Sequence, residues 1–172
     1  EKQIDRQTRA YQLEIDLLQS IPGVGKDTAQ GIVAEIGVDM KVFPNEHHLA
    51  SWAGMSPGNN ESAGKKKSVR ITHGNKYLKN ILVEAAWAAS HTKNTYLRSK
   101  YDSLVGRRGK KRALIALGHK ILCAAYFIIK NKEAYKELGA DFLPSKRKKN
   151  QIQSYLDKLK KLGVEIEIKQ AA

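Results

Sequence analysis

Two long stretches of the sequence repeat apolar residues every three or four positions, and this period constrains the fold more than any other feature. The first stretch carries Leu78, Ile81, Leu82, Ala85, Ala86 and Ala89. The second carries Leu114, Leu117, Ile121, Ala125 and Ile128. Residues at this spacing share one face of an α-helix. The sequence therefore predicts a mainly α fold in which these two helices form the core.

The segment IPGVGKDTAQGIVAEIG, residues 21–37, predicts a tight turn followed by a helix over residues 26–35 that stops at Gly37. With the preceding helix, residues 17–37 resemble the helix-hairpin-helix module. Gly23 and Gly25 permit close approach of the backbone to a phosphate, the next helix N-terminus attracts anions, and Lys26 adds charge. An ordinary interhelical turn is the alternative. The Walker spacing is absent, so nucleotide hydrolysis is not expected.

A second short helix is predicted for NEHHLASWAG, with Asn45 as its N-cap and Gly54 as its stop. Residues 55–75 are rich in glycine, proline and asparagine and lack an apolar period. They predict a loop, rich in glycine, asparagine and basic residues, with one short strand at SVRIT, residues 68–72. Functional residues often lie on such loops.

The charge of the chain is strongly positive and unevenly distributed. The formal net charge is +14, and residues 61–149 hold 22 of the 31 lysines and arginines but 6 of the 17 acidic residues. This segregation predicts a polyanionic partner and favours nucleic acid, although lysine runs can also be plain solvated surface. The candidate DNA contacts are Gly23, Gly25, Lys26, Lys65, Lys66, Lys67, Arg70, Lys76, Arg107 and Arg108.

Three parts are expected along the chain. Residues 1–20 predict a helix that links to an upstream domain, because its narrow stripe of apolar residues is typical of packing against a partner; the stripe is Ile4, Tyr11, Ile15 and Leu18. Residues 21–143 predict the helical domain itself. Residues 144–172 predict a basic tail, with a boundary at residues 144–149, a short helix near residues 152–162 and a strand at VEIEIK.

The remaining notable side chains predict structural roles. Cys123 lies in an apolar run, which indicates a core position in a reducing compartment, and Trp52 and Trp87 are also expected in the core. The histidines and acidic residues form no pattern typical of metal ligands, so no metal site is predicted. Lys120 and Lys130 lie too close together to flank a membrane span, which predicts a soluble, cytoplasmic protein.

Residues 49–89, LASWAGMSPGNNESAGKKKSVRITHGNKYLKNILVEAAWAA, resemble the C-terminal domain of a family of bacterial insertion-sequence transposases. These proteins pair an N-terminal resolvase-like domain bearing an acidic tetrad with a serine-bearing C-terminal domain, and are also known as bridge-RNA-guided recombinases. The resemblance covers about residues 17–142. It includes the motifs IPGVG, GMSPGNNESAGK and HGNKYLKNILVEAAW in the family's order.

The resemblance implies that Ser62, in ESAG, is the nucleophile of a DNA transposase or recombinase. Its hydroxyl would attack a DNA phosphodiester and hold the broken strand as a phosphoserine ester. The lysines that follow suit this chemistry, because the transition state gathers negative charge. Ser56 and Ser68 are the competing serines.

The resemblance also implies partners. They are DNA, a guide RNA and further copies of the full-length protein, in the bacterial cytoplasm and on the nucleoid when DNA is bound, with no membrane. This part of the protein is expected to hold no cofactor, and any Mg²⁺ would be bound by the upstream acidic domain. The isolated part should then be inactive. The alternative function is a non-catalytic helix-hairpin-helix module that binds DNA or acts as a scaffold.

Overall fold

The computed structural model describes residues 9–56, 60–63, 65–68, 71 and 73–162, and the side chains of residues 60–62 and 66–68 lie outside that description. This part of the chain forms α1 (Gln12–Leu18), α2 (Lys26–Ile36), α3 (Glu46–Trp52), α4 (Lys76–His91), α5 (Tyr96–Arg108), α6 (Lys110–Asn131) and α7 (Phe142–Lys161). Two 3₁₀ turns, Arg9–Tyr11 and Met40–Val42, and an antiparallel hairpin of β1 (Asn60–Ser62) and β2 (Lys65–Ser68) complete it. The mainly α prediction is confirmed.

The core is built around α4 and α6, as the apolar period predicts. Most residues of the two stripes are fully buried, namely Leu78, Leu82, Ala85, Ala86, Ala89, Leu117, Ile121 and Ala125. Helices α1, α3 and α5 also pack on α6, and α2 packs on α4. Asn45 caps α3 as predicted, because its side chain accepts hydrogen bonds from the amides of His47 and His48 at 3.0 and 3.1 Å.

Helix α2 runs antiparallel to α4. Gly23, which precedes α2, lies against the backbone of Ala85 and Ala89 in the second half of α4. Glu35, near the end of α2, accepts a hydrogen bond from the side chain of Asn75, the residue before α4. The start of α2 therefore lies beside the end of α4, and its end beside the start of α4.

Helix α6 runs in the same general direction as α4. Gly118 of α6 lies against the carbonyl of Leu82 in α4. Ile121, further along α6, lines the same cleft as Ile21. Ile21 belongs to the turn that packs on the second half of α4. The first residues of α4 and α6 therefore lie at one end of the domain. We call this the loop end (residues 53–55, 74–76 and 107–112) and the opposite one the turn end (residues 21–26).

Helix α1 belongs to this core. Ile15 and Leu18 of the predicted stripe are fully buried in it, and Glu14 forms an ion pair with Lys132 just after α6. Burial opposes ionisation of Glu14, but the hydrogen bond and charge of Lys132 outweigh it and lower the pKa of Glu14. Tyr11 is partly exposed, and Ile4 lies outside the described residues. The upstream domain stays a prediction.

Some elements differ in position from the expectations. The hairpin lies at residues 60–68. Of the strand predicted at residues 68–72, only Ser68, in β2, and Ile71, in an isolated bridge, are among the described residues. Helix α7 begins at Phe142, before the boundary expected at residues 144–149. Pro144 lies in its first turn. Amide groups there donate no intrahelical hydrogen bond, so proline is tolerated although it lacks the amide proton. The strand expected at VEIEIK lies outside the described residues.

The two tryptophans are not core residues. Trp52 is 45% exposed and Trp87 is 60% exposed. Trp52 ends α3 and packs its ring on Phe43 at 5.6 Å, and Trp87 packs on His91 at 4.5 Å, in both cases on the surface. Trp87 lies on the face of α4 opposite to the buried stripe, because two residues along a helix turn the side chain by about 200° from Ala85.

Helix α6 is also long and apolar enough, by length and composition, to cross a membrane, and 50% of the apolar window is buried inside the domain. Core helices of water-soluble domains share this property. Among the described helices it is the one that passes this test. Within the domain it packs against α1, α3, α4 and α5.

Candidate nucleic-acid interface

The loop that carries the predicted nucleophile has its two ends in contact. A Cβ atom on Gly74 would lie 2.3 Å from the amide nitrogen of Gly54 and 2.4 Å from the carbonyl carbon of Ala53. Real Cβ atoms do not approach backbone so closely, so glycine is required where the loop returns. The chain on the two sides of this segment, at residues 53–54 and at residue 74, therefore meets at one point, as at the base of the compact surface loops that often carry function.

The base of this loop is fixed to the core. Met55 is fully buried, and its ε-methyl group lies 2.7 Å from the position that a Cβ on Gly118 of α6 would take. On the other side, Asn75 caps α4 by accepting hydrogen bonds from the amides of Tyr77 and Leu78 at 2.9 and 3.0 Å. Its amide group donates to Glu35 of α2. Three helices thus hold the loop base.

Ser62 ends β1, next to the tip of the hairpin. Its Cα pairs with that of Lys65, and Ala63, between them, has a φ of 49°, a left-handed conformation that residues with a Cβ adopt infrequently. Lys65 is exposed. The side chains of Ser62, Lys66 and Lys67 and the whole of Arg70 lie outside the described residues. The structure therefore locates the backbone of Ser62 without describing its hydroxyl.

The predicted phosphate-binding turn is a tight structural turn. The amide of Val24 donates to the carbonyl of Ile21 at 3.0 Å, and Gly23 has a φ of 87° after Pro22, as a type II turn requires. A Cβ on Gly23 would lie 2.4 Å from the amide nitrogen of Ala89. Packing against α4 therefore already explains this glycine.

Gly25 and Lys26 are placed differently from Gly23. Nothing lies within 4 Å of a Cβ built on Gly25. It is exposed, as is Lys26, and it precedes α2 without a side-chain cap. Exposed amide groups at a helix start, beside a lysine, can bind an anion. Of the two glycines expected to approach a phosphate, Gly25 is the accessible one.

We call residues 55–73, which include Ser62, the serine loop. The turn and the serine loop lie at opposite ends of α4. The turn lies against α4 at Ala85 and Ala89, and the loop re-enters beside Asn75. Ten to fourteen helical residues separate these points, which corresponds to about 15–20 Å. The predicted DNA contacts therefore form two groups rather than one.

A second basic feature lies at the loop end, where α5 turns into α6. Arg107, Arg108, Lys110, Lys111 and Arg112 are all exposed around Gly109; we call residues 107–112 the basic corner. Its two arginines end α5, where cations are favoured by the helix dipole. The other three occupy the first turn of α6, where cations are disfavoured and no acidic residue or side-chain cap offsets them.

The basic corner and the base of the serine loop lie at the same end of the domain. Met55 lies against α6 at Gly118, eight residues or about 12 Å along the helix from Lys110. Lys76, another predicted contact, is exposed and is the first residue of α4. The loop end therefore gathers the backbone of Ser62's loop, Lys76 and the corner. The sequence contained these residues, but no local pattern showed that they share an end.

An apolar cleft at the turn end has a volume of about 210 Å³ and lies between α5, α6 and residues 135–138. Cys123, in its wall, is half-buried, and burial raises the pKa of its thiol. Burial and the nearby charge of Glu137 raise the pKa of Tyr135 to about 12. Within the described ranges, no three His, Cys, Asp or Glu side chains are arranged to hold a metal ion.

The fold and these features together define a small helical domain with a strongly basic surface and a glycine-closed hairpin loop at one end. This combination is typical of proteins that bind nucleic acid. Comparison with known proteins narrows the class.

Residues 15–102 match the model of the Transposase IS116/IS110/IS902 family. The chain belongs to this family. It is 33% identical over 123 residues to the transposase for insertion sequence element IS1111A of Coxiella burnetii. The aligned stretch covers 69% of this chain and 34% of the relative. It is 31% identical over 124 residues to the pilin gene-inverting protein of Moraxella bovis, 69% of this chain and 38% of the relative.

A third relative matches over a longer stretch. The IS110 uncharacterized 43.6 kDa protein of Streptomyces coelicolor is 29% identical over 141 residues, 79% of this chain and 33% of the relative. The chain thus spans about a third of the length of the relatives it matches. The family match ends at residue 102, before the basic corner and before α6 and α7.

Proposed function

We propose that this chain is the C-terminal catalytic and DNA-binding domain of a DNA transposase or recombinase that cleaves and rejoins strands through a phosphoserine intermediate at Ser62. One observation carries the proposal. The loop bearing Ser62 closes at the loop end, beside Lys76 and on the same side as the basic corner. A phosphate bound there would meet both a hydroxyl and several cations.

In the proposed reaction, the Ser62 oxygen attacks the phosphorus of a DNA phosphodiester. The bond to one deoxyribose oxygen breaks, that oxygen takes up a proton, and the strand stays attached to Ser62 as a phosphate ester. Attack by a deoxyribose hydroxyl of another strand reverses the step and releases the serine, so no nucleotide cofactor is consumed. Lys65, Lys76 and Arg107 would stabilise the charge that develops on the phosphate oxygens.

The left-handed conformation of Ala63 supports a role for the hairpin tip. Backbone conformations that most residues avoid cost roughly 1–3 kcal/mol and often occur at functional sites. At this tip the conformation keeps the turn between Ser62 and Lys65 to two residues. The strain would hold the serine next to a lysine.

The proposed activity needs more than this chain. The names of the relatives include transposases and a gene-inverting protein, and this chain spans about a third of their length. We assign to the remainder of the full-length protein the acidic domain that would bind Mg²⁺, and to the assembly a guide RNA and further protein copies. The protein would act in the bacterial cytoplasm, on the nucleoid.

A covalent-trapping experiment tests the proposal. Full-length protein with its guide RNA is incubated with a DNA substrate nicked so that religation is impossible, and the covalent protein–DNA adduct is quantified after denaturation. We expect the wild type to form the adduct and Ser62→Ala to lose it, by a factor of at least about 1,000, while DNA binding is retained.

Ser56→Ala and Ser68→Ala are the matched controls, because both serines border or lie in the same loop. We expect both to keep adduct formation within about threefold of wild type. An adduct that persists in Ser62→Ala and disappears in either control would transfer the nucleophile to that serine. No adduct with any variant, together with normal DNA binding, would favour the non-catalytic module.

The second candidate function, a non-catalytic helix-hairpin-helix module, rests on Gly25 and Lys26. Both are exposed at the start of α2, at the end of the domain away from the serine loop. They offer a phosphate contact that does not depend on Ser62. In that case Lys26→Gln would weaken DNA binding, whereas Ser62→Ala would leave DNA binding unchanged.

A further inference from the structure

Lys100 lies in the middle of α5 and is surrounded by other cations. It is half-buried rather than extended into solvent. Four positive side chains act on its charge: Lys120, Arg147, Arg107 and Lys146. In the fold, Lys120 lines the same cleft as Tyr96, which lies one helical turn before Lys100. Burial, followed by these charges, lowers the pKa of Lys100. We call Lys100, Arg107, Lys120, Lys146 and Arg147 the cation cluster.

Helix packing brings the cation cluster together from three elements. Helices α5 and α6 pack against each other on either side of Gly109, which reverses the chain. Helix α7 begins against α5, because the ring of Phe142 packs edge-on against Tyr96 with centroids 5.7 Å apart. Lys146 lies over the same Phe142 ring at 5.8 Å. The packing of the three helices therefore positions the backbones that carry these cations, and an aromatic contact adds to the placement of Lys146.

Two acidic residues on or beside α5 have other partners. Asp102, on the same helix as Lys100, forms an ion pair with Arg98 at 2.8 Å. Glu137 accepts hydrogen bonds from the amides of Tyr96 and Gly139 at 2.7 and 2.8 Å and so caps the start of α5. Like charges held close together destabilise a folded domain and raise its affinity for an anion.

We propose that the cation cluster binds one phosphate of the DNA backbone, with Lys100, Lys120 and Arg147 as its principal contacts. The inference rests on the proposed function, in that it takes DNA as the partner. The three principal contacts differ from the residues assigned to the phosphate at Ser62 and from the turn, although Arg107 belongs to both the cluster and the basic corner. Lys120 and Arg147 lie beyond residue 102, where the family match ends. Helix α7 thereby becomes part of the DNA-binding surface.

Salt-dependent DNA binding tests this site. The chain and its variants are titrated with a fluorescent DNA duplex at several salt concentrations, and the slope of log K against log salt is compared. For the triple variant Lys100→Gln, Lys120→Gln and Arg147→Gln, we expect the slope to fall in magnitude by about one, the loss of one phosphate contact, and the affinity to fall roughly tenfold.

A second triple variant is matched in charge. Lys158, Lys160 and Lys161 lie in the last turn of α7, at least eleven residues or about 16 Å along the helix from Arg147. Replacing all three by glutamine removes the same net charge, and we expect the slope to change by less than about 0.3. If both variants lost the same salt slope and DNA affinity, net charge alone would explain the effect, and the proposal would be overturned.

Thermal unfolding of both variants separates binding from folding. Removing mutual repulsion should leave the melting temperature of the cluster variant unchanged or higher while its affinity falls. A lower melting temperature with unchanged DNA binding would give the cluster a purely structural role and overturn the inference. A variant that keeps DNA affinity but loses affinity for an RNA hairpin would also overturn it, in favour of RNA.

Failure of the inference is distinguishable from failure of the proposed function. If the wild-type chain binds DNA and the cluster variant binds equally well, the inference fails, and the Ser62 adduct is unaffected. If the wild-type chain shows no salt-dependent DNA binding, the inference fails, whereas the proposed function is still decided by the Ser62 adduct of the full-length protein. Loss of the adduct in Ser62→Ala with a normal cluster effect supports both.

Discussion

The turn end and the loop end of the domain both depend on glycine, but for different reasons. At the turn end, Gly23 is enclosed between Ile21 and Val24, which are buried, and its backbone lies directly against that of α4. At the loop end, Gly74 closes a loop by lying against the backbone of Gly54. One glycine therefore allows helices to pack, and the other allows a loop to return.

This comparison shows how a motif and its use can differ. The IPGVG segment predicts a phosphate-binding turn, but its first glycine is already required by packing, and Gly25 is the more exposed of the two. The serine loop has the sequence of an irregular segment, but its base is held by buried Met55 and by the hydrogen bonds of Asn75. Substitutions at the two ends should therefore have different consequences.

The largest effect is expected at the turn end, from Gly23→Ala. The new Cβ would lie 2.4 Å from the backbone of Ala89, and the residue would keep a φ of 87°. We expect a loss of about 2–4 kcal/mol in the free energy of unfolding, measured by urea denaturation. Gly25→Ala, with no neighbour within 4 Å, should cost less than about 1 kcal/mol. Equal losses at both positions would contradict the packing role of Gly23.

A smaller loss of stability, with a specific loss of function, is expected from Gly74→Ala at the loop end. The Cβ would collide with the backbone of Gly54, so the loop base must open at a cost of about 1–3 kcal/mol. Adduct formation by the full-length protein should fall at least tenfold at a temperature where the variant is folded. Gly106→Ala is the control, because nothing lies near it in α5. It should leave the adduct unchanged and add about 0.5–1 kcal/mol of stability.

The smallest effect is expected from Asn75→Ala. The substitution removes the cap of α4 and its hydrogen bond to Glu35, which should cost about 1 kcal/mol in thermal or urea unfolding. Asn75→Asp keeps the cap but places a carboxylate beside Glu35, so it isolates the interhelical contact. If both variants unfold like the wild type, the loop base is not fixed by this residue.

The sequence predicted the elements whose evidence is local. The apolar period of α4 and α6, the Asn45 cap and the turn at Pro22 depend on residues within a few positions of each other. Helix α5 was missed because Leu97 is its one fully buried residue, so it shows no apolar stripe. Trp52 and Trp87 were assigned to the core because Trp87 lies within a core helix and Trp52 follows an apolar face, but each lies on an outward face.

The candidate site was predictable only in part. Ser62 and the basic residues were found by resemblance and charge, but their roles remain predictions. Gly74 and Asn75 gave a weaker signal, because a glycine followed by an asparagine before a helix also occurs in ordinary caps. The cation cluster gave no signal at all, since Lys100, Lys120 and Arg147 lie twenty or more residues apart and meet only through packing.

The sequence by itself determined a helical, basic domain with a short turn and a long loop, because helix period, caps and charge are properties of neighbouring residues. Only the tertiary structure decided that α2 runs antiparallel to α4 and that the turn and the serine loop lie at opposite ends. That arrangement depends on interactions such as the hydrogen bond from Asn75 to Glu35, forty positions apart. Such interactions form through close packing of complementary surfaces, which no local pattern specifies.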